Sequence, residues 1–470
     1  MKLDNNRPHL EITLKDRDAK GDLDSLSQES KRGWDSTEII LELDPPGSGV
    51  FHSCSILPGT NTARLVTTLG ASYTVKEVRR VGPHFAPIIY QINESGKSPG
   101  TPIKVADKGS VTIECGGRAR ISAWIDSAVM WNNKVPLDPN RIHKRWRGLS
   151  FGGLDDLTVL VSIWNVGQTD DVDWAKNFLP AASGNPERAA YFGQIIEMMH
   201  AQRVQVFAGM FSDTGVPGPS VKLGDLFTRW LRAKVANQKG PLKPLFANHA
   251  QKVVEFFDKQ ELDIDGISLD HEIFITTPPT PGMVALNAKD RPAITALYQA
   301  YADELGKKGR YLAYANSAFT NHSDGISVWM PYELAQYPNI IARPMSYTGE
   351  TRRKNAIKFA LADEPAGAGL HPAQIQTGLA TAMPPTSTPA SIIVEVGATQ
   401  RTYRVGFIQF GFDGSLAVDK AHPHRTQTSA FAEYDAALNP DGPPHGTLGQ
   451  PLQGPLNAER VAVLGKPAKK

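Results

Sequence analysis

The chain is expected to be an α/β protein, a (β/α)8 TIM barrel preceded by a small N-terminal all-β domain. Three observations predict this. Short β-branched runs divided by turn residues occupy the chain from about Ser36 to Cys115. From about Arg118 onward, short apolar runs alternate with stretches of helical period. Eight such runs fit into about 320 residues, a length suited to one closed barrel. At 470 residues the whole chain is longer than one average domain, which leaves room for both parts.

Residues 1–36 are polar and charge-rich, and residues 1–35 are expected to be loosely ordered. The β-branched runs follow: TEIILEL (37–43), ARLVTTLG (63–70), SYTVKEVRRV (72–81), APIIYQI (86–92) and SVTIEC (110–115). PPGSG, LPGTN, NESGKSPG and ADKG punctuate them, so residues 1–117 read as a small sandwich or barrel. A carbohydrate-binding module, a domain docking a protein partner and a structural appendage all remain open for it.

The barrel, residues 118–439, draws its strands from RISAWIDSAVMW (120–131), LTVLVSIWN (157–165), VQVFAGMFS (204–212), DIDGISLDHE (263–272), RYLAYANSAF (310–319), IIARPMSY (340–347), AQIQTGLAT (373–381) and VGFIQFGFDG (405–414). Several are apolar on both faces, as parallel strands under helices must be. Between them, Ile294, Leu297, Tyr298, Tyr301 and Leu305 share one face of a helix that Gly306 or Gly309 ends. Asn248 followed by Gln251 has the form of a capping box ahead of Val253, Val254 and Phe257. A doubly wound open sheet is the alternative fold, but no Gly-rich phosphate loop follows any strand. Residues 383–404 read as an insertion before the last strand, and residues 440–470 as a Pro/Gly-rich tail.

Composition removes several classes of function. Fifty basic residues face 48 acidic ones, so no global field points to nucleic acid or to a membrane surface. No run approaches the roughly 18 uninterrupted apolar residues of a membrane span. The start, MKLDNNRPHLEITLKDRDAK, carries no apolar segment of signal-peptide type. Synthesis in the cytoplasm is expected, with release by a non-classical route left open. Cys54 and Cys115 are too few for a disulfide framework or a four-cysteine zinc site, and two reduced thiols are expected.

The chemically informative stretch is DGISLDHE, Asp265–Glu272. Alternation along a strand gives Ser268, Asp270 and Glu272 one face and Ile267, Leu269 and His271 the other. At the C-terminal end of a barrel strand, where barrel enzymes keep their chemistry, Glu272 stands at the rim with Asp270 one step below. Burial and a neighbouring carboxylate raise the pKa of at least one of them, which is how a glutamic acid stays protonated for general acid work. Carboxylates two apart on one strand cannot flank a glycosidic bond from opposite sides. Such a pair needs a nucleophile from elsewhere, and a substrate's own 2-acetamido group can serve.

The same stretch resembles the fourth-strand signature of family-18 glycoside hydrolases, the chitinases and endo-β-N-acetylglucosaminidases, whose pattern is Asp-Gly-X-Asp-X-Asp-X-Glu. PMSY (344–347) is similar to the family's Met-X-Tyr on the sixth strand. AWIDSAVMW, QIQTGLAT and GFIQFGFDG are similar to its first, seventh and eighth strands. The resemblance covers about Arg118 to Asn439. It implies that Glu272 protonates the leaving oxygen and then activates water, that Asp270 orients the acetamido group and balances the charge of the intermediate, and that Tyr347 hydrogen-bonds the acetamido carbonyl. Met345 and Ser268 would stand by the substrate. Departures from the pattern are Ser268 for the middle aspartate, Thr348 for an aspartate common in chitinases, Phe410 for a tryptophan, and AGMF on the third strand.

Trp124, Trp164, Trp329 and Phe410 are candidate stacking platforms for sugar rings, with core packing as the alternative for each. HPHR (422–425) lacks the ligand spacing of a metal site, and this chemistry requires neither metal nor cofactor. The expected partner is therefore an oligosaccharide or polysaccharide containing N-acetylglucosamine, either chitin or the chitobiose core of an N-glycan. A non-hydrolytic carbohydrate-binding barrel and a component of a larger assembly, docked through residues 1–117, are the readings from other classes.

Overall fold

A computed structural model describes residues 8–16, 36–56, 61–82, 85–98, 101–117, 120–125, 153–163, 186–202, 204–212, 223–271, 288–317, 330–337, 339–345, 350–362, 367–370, 374–380, 403 and 405–410. These fall into two compact units, one within the first 118 residues and one from residue 119 onward.

The first unit is all-β. Its strands are β1 (His9–Asp16), β2 (Ser36–Leu43), β3 (Phe51–Ser55), β4 (Thr62–Val66), β5 (Ser72–Gly82), β6 (Phe85–Glu94), β7 (Ile103–Ala106) and β8 (Ser110–Gly117). They pair in the order β3-β2-β5-β6-β8-β1-β4, with β7 also on β5. Every pairing is antiparallel except β1 with β8. Loose order over residues 1–35 is corrected for His9–Asp16, which lies inside the sheet. In HLEITLKD the residues Leu10, Ile12 and Leu14 alternate with polar neighbours and are fully buried. Cys54 and Cys115 lie in the same apolar core without forming a disulfide, and burial pushes the Cys54 thiol up to about 12.

The second unit is a barrel of eight parallel strands: β9 (Ile121–Ile125), β10 (Asp156–Ile163), β11 (Gln205–Ser212), β12 (Gly266–His271), β13 (Tyr311–Ser317), β14 (Ile340–Met345), β15 (Gln376–Ala380) and β16 (Gly406–Phe410). Each falls inside a run anticipated from the sequence, except that β10 begins one residue before its run, at Asp156. Neighbours in the ring follow chain order, β16 pairs back onto β9, and a parallel bridge from Ala342 to Ile375 closes the ring. Helices α1 (Pro186–Ala201), α2 (Leu223–Val235), α3 (Lys243–Lys259), α4 (Arg291–Gly306) and α5 (Glu350–Leu361) alternate with the strands. Outward-facing strand residues such as Ile121, Leu157, Val206, Ile267 and Leu312 join helix residues in one apolar shell.

Helix α4 buries Ile294, Leu297, Tyr298, Tyr301 and Leu305 completely, and Gly309 beyond it takes φ +67°. The expected capping box is corrected. Helix α3 starts at Lys243, because Pro244 fits the first turn, where no backbone N–H is needed. Asn248 is thus inside the helix, and the Gln251 amide donates to Glu255 at 2.7 Å. The 440–470 tail, HPHR and nearly all of the 383–404 insertion lie outside the described residues.

Candidate active site

Strand β12 carries the acidic signature, and its geometry starts at Asp265 just before the strand. Asp265 Oδ2 accepts the Val206 backbone N–H at 2.8 Å and meets His200 Nε2 at 2.7 Å, which ties the foot of the strand to β11 and α1. Gly266 follows because nothing larger fits. A Cβ there would lie 2.5 Å from the Phe207 ring and 2.6 Å from the Tyr311 carbonyl oxygen. Ile267 and Leu269 then bury outward, which leaves Ser268 on the inward face, 0% exposed.

Parallel barrel interiors fill in layers of four, drawn from alternate strands. In this barrel the residues of inward parity on β10, β12, β14 and β16 form three such layers. The lowest holds Asp156, Gly266, Ile341 and Gly406, and the middle one Thr158, Ser268, Arg343 and Ile408. The highest is made of the positions of Leu160, Asp270, Met345 and Phe410. Between the upper two, the odd strands contribute Trp124, Gly209, Ala315 and Gly378. Trp124 is 3% exposed, and its three layer-mates are as small as residues can be.

The middle layer is organised by a residue that the sequence reading missed. Arg343 is 1% exposed and donates to Thr158 Oγ1 at 2.6 Å, Ser268 Oγ at 2.9 Å, Gln376 Oε1 at 2.7 Å and Asp156 Oδ1 at 2.8 Å. Its guanidinium also lies over the Phe207 ring, 4.8 Å from the centroid. The other oxygen of Asp156 accepts from Ser122 at 2.6 Å, Gln376 at 3.0 Å and Arg120 at 3.2 Å. Arg120 in turn donates to Gln205 at 2.5 Å. Every donor around the carboxylate thus has an acceptor, which is the condition for tolerating charge at this depth.

Burial lowers the Arg343 pKa to about 10, and Arg120 nearby adds to the effect while Asp156 opposes it. At that value the guanidinium remains charged at neutrality. Burial also works against the Arg120 charge, but Asp156, Tyr311 and Asp155 more than offset it, so its pKa stands above the ordinary one.

Of the sequence-predicted residues, Trp124 and Ser268 lie inward and buried, and Asp270, Met345 and Phe410 belong to the C-terminal ends of β12, β14 and β16. Glu272, Tyr347, Trp164 and Trp329 lie outside the described residues. Arg343 and Asp156 carried a usable signal, since each is a charge set in an apolar strand, IIARPM and DLTVLVSI. That is the same oddity that singles out the acids of β12. Among the described residues, no group of three or more His, Cys, Asp or Glu is arranged to hold a metal ion. No helix there is long and apolar enough to cross a membrane.

No protein-family model matches the chain, and no curated protein does. Solved structures similar to it include a family-18 chitinase of Flavobacterium johnsoniae, at 10% identity and TM-score 0.41, covering 68% of this chain and 94% of that one. Catalytic domain 2 of the Ostrinia furnacalis Group II chitinase aligns at 10% identity and TM-score 0.44, covering 71% and 100%. An endo-β-N-acetylglucosaminidase of Cordyceps militaris aligns at 12% identity and TM-score 0.38, covering 69% and 92%.

Proposed function

We propose that the chain is a glycoside hydrolase of the family-18 type, cleaving β-1,4 bonds at N-acetylglucosamine by a substrate-assisted, retaining route. The observation that carries the reading is the address of DGISLDHE. Gly266–His271 of that stretch form the fourth strand of a closed parallel barrel with Ser268 inside, and a continued strand alternation would give Asp270 and Glu272 the face of Ser268, which supports the reading.

In this reading Glu272 gives its proton to the leaving oxygen while the acetamido oxygen attacks the anomeric carbon from the opposite face. Asp270 accepts a hydrogen bond from the acetamido N–H, which raises the nucleophilicity of the carbonyl and balances the positive charge of the ring formed. Tyr347 donates to the same group, and Glu272 then removes a proton from the water that opens the ring. Chitin or chito-oligosaccharides are the substrate proposed first, with the N-glycan chitobiose core second.

The test is turnover of a fluorogenic chitobioside and of a high-mannose glycoprotein by the full chain and by Glu272→Gln. Loss of a general acid predicts a fall of at least about 100-fold on whichever substrate is cut. Equal turnover by both proteins would remove Glu272 from the chemistry. Sugar binding without turnover in either would make the barrel a carbohydrate binder.

A further inference from the structure

A buried cation, Arg343, donates to Ser268, the residue that takes the place of the middle aspartate of the signature. Ser268 is the residue directly below Asp270 on the inward face of β12, and its oxygen is 2.9 Å from Arg343 Nη1. The register gives the same neighbourhood independently, since Asp270 pairs with Ala315 and Ala315 pairs with Arg343, only a methyl side chain separating the two positions. Counted through the even strands, Asp156 lies in the layer below Arg343 and Asp270 in the layer above. Arg343 therefore lies in the layer between those of Asp156 and the Asp270 position.

We propose that Arg343 is a positioning residue for the proposed reaction: its buried charge holds Asp270 as an anion and so keeps it ready to grip the substrate's amide. This rests on the reading of β12 given above and adds to it a source for the Asp270 charge. Among the described residues, the other charged or titratable groups about Arg343 are these. Asp156 comes from β10 and Arg120 from the start of β9, while Asp155 and Tyr311 act on Arg120. Gln205, Gln376, Thr158 and Ser122 are neutral. Asp156 lies in the layer below Arg343 and is also held by Arg120, Ser122 and Gln376, so of the pair Arg343–Asp156 the positive member is the nearer to the Asp270 position.

Two residues along a strand span about 7 Å. A unit charge at that distance, at the effective dielectric of a protein interior, shifts a carboxyl midpoint by about one to two pH units. The experiment is a carbon-13 titration of the full chain labelled at aspartate carboxyls, with the Asp270 resonance assigned by its loss in Asp270→Asn. Arg343→Gln is expected to raise the Asp270 midpoint by about one to two units, and Arg343→Lys, which keeps the charge, to leave it close to wild type.

Should Arg343→Gln fail to fold, Arg343→Met/Asp156→Leu removes the guanidinium together with its buried partner and is expected to raise the same midpoint, while Ser268→Ala leaves it unmoved. A midpoint indifferent to Arg343→Gln, or to Arg343→Met/Asp156→Leu where that is the variant that folds, overturns the proposal. The acidic limb of kcat on the chitobioside moves with the midpoint. If wild type cuts no N-acetylglucosaminide but the midpoint still follows Arg343, the electrostatic role stands and the glycosidase reading falls. Turnover with an unmoved midpoint removes the electrostatic role and leaves the glycosidase reading standing.

Discussion

The two units solve the problem of a β interior in opposite ways. In the first, strands alternate and the apolar core gathers Leu10, Ile12, Leu41, Val78 and Ile113, while the buried charges of Arg79 and Glu42 are paired, with Glu38 and with Lys76 respectively. In the barrel, the apolar surface lies outside the strands under the helices, and the axis holds an ion pair with its hydrogen-bonded shell. An apolar core contributes stability roughly in proportion to the area it removes from water. A buried ion pair gives little net stability over apolar residues of the same volume. The barrel therefore carries a polar centre that stability alone does not account for, and it lies one layer beneath the acid strand.

The largest expected effect tests whether that centre is a fully compensated unit. Asp156→Ala leaves two guanidinium groups without their shared acceptor, and a loss of about 4 kcal/mol is expected in urea unfolding of the full chain. The double variant Arg343→Met/Asp156→Leu sharpens the contrast, because it removes both charges together. It is expected to recover most of the stability lost in Asp156→Ala while still raising the Asp270 midpoint. Recovery of neither would mean that the polar layer is a structural necessity.

The matching break in the first unit is Ile12→Ala. This side chain is fully buried between β4 and β8, and its truncation is expected to cost about 3 kcal/mol by lost transfer energy and cavity formation. Here the cost should follow side-chain volume, so that Ile12→Val costs only about 1 kcal/mol. A smaller break is Glu42→Gln. Glu42 accepts from the backbone N–H of Gly47 at 2.8 Å and pairs with Lys76 at 2.7 Å, so it anchors the turn between β2 and β3. A loss of about 1–2 kcal/mol is expected at neutral pH. The Lys76 hydrogen bond holds the Glu42 pKa below the ordinary carboxylate value, so the contribution is present above that value and is lost as pH falls through the lowered one.

The contrast between the units also explains what the sequence made legible. All eight barrel strands were readable, since each is a short run buried on both faces, and the helix between β12 and β13 was readable from its five-residue stripe. In the first unit β1, β3 and β7 were not. Strand β1 has clean alternation but sits among charges, β3 buries only Cys54 fully, and β7 is four residues long. For the site, the acids of β12 were visible because a local motif surrounds them. The pairing of Arg343 with Asp156 joins residues 187 apart and depends on barrel stagger, which no local pattern encodes. Only the oddity of each charge in its apolar strand was open to reading.

The smallest effect tests the margin of the apolar unit. Glu77 is 5% exposed on β5, and Arg79 Nε stands 3.9 Å from its carboxylate, too far for a hydrogen bond. Burial raises its pKa, Glu38 adds to the rise, and Arg79 opposes it. Since the folded value exceeds the unfolded one, the folded chain holds the proton more tightly. The stabilisation this gives is complete below the ordinary carboxylate range of about 4 and fades as pH climbs through the raised value. Glu77→Gln removes the ionising group while keeping its shape, so it should gain roughly 1 kcal/mol at neutral pH and nothing near pH 4. Thermal unfolding of the two proteins from pH 4 to 8 checks this, with curves that coincide at the acidic end and separate as pH rises. A constant offset would show that packing rather than charge governs this position, and the apolar unit would then tolerate a buried carboxylate as readily as the barrel tolerates its ion pair.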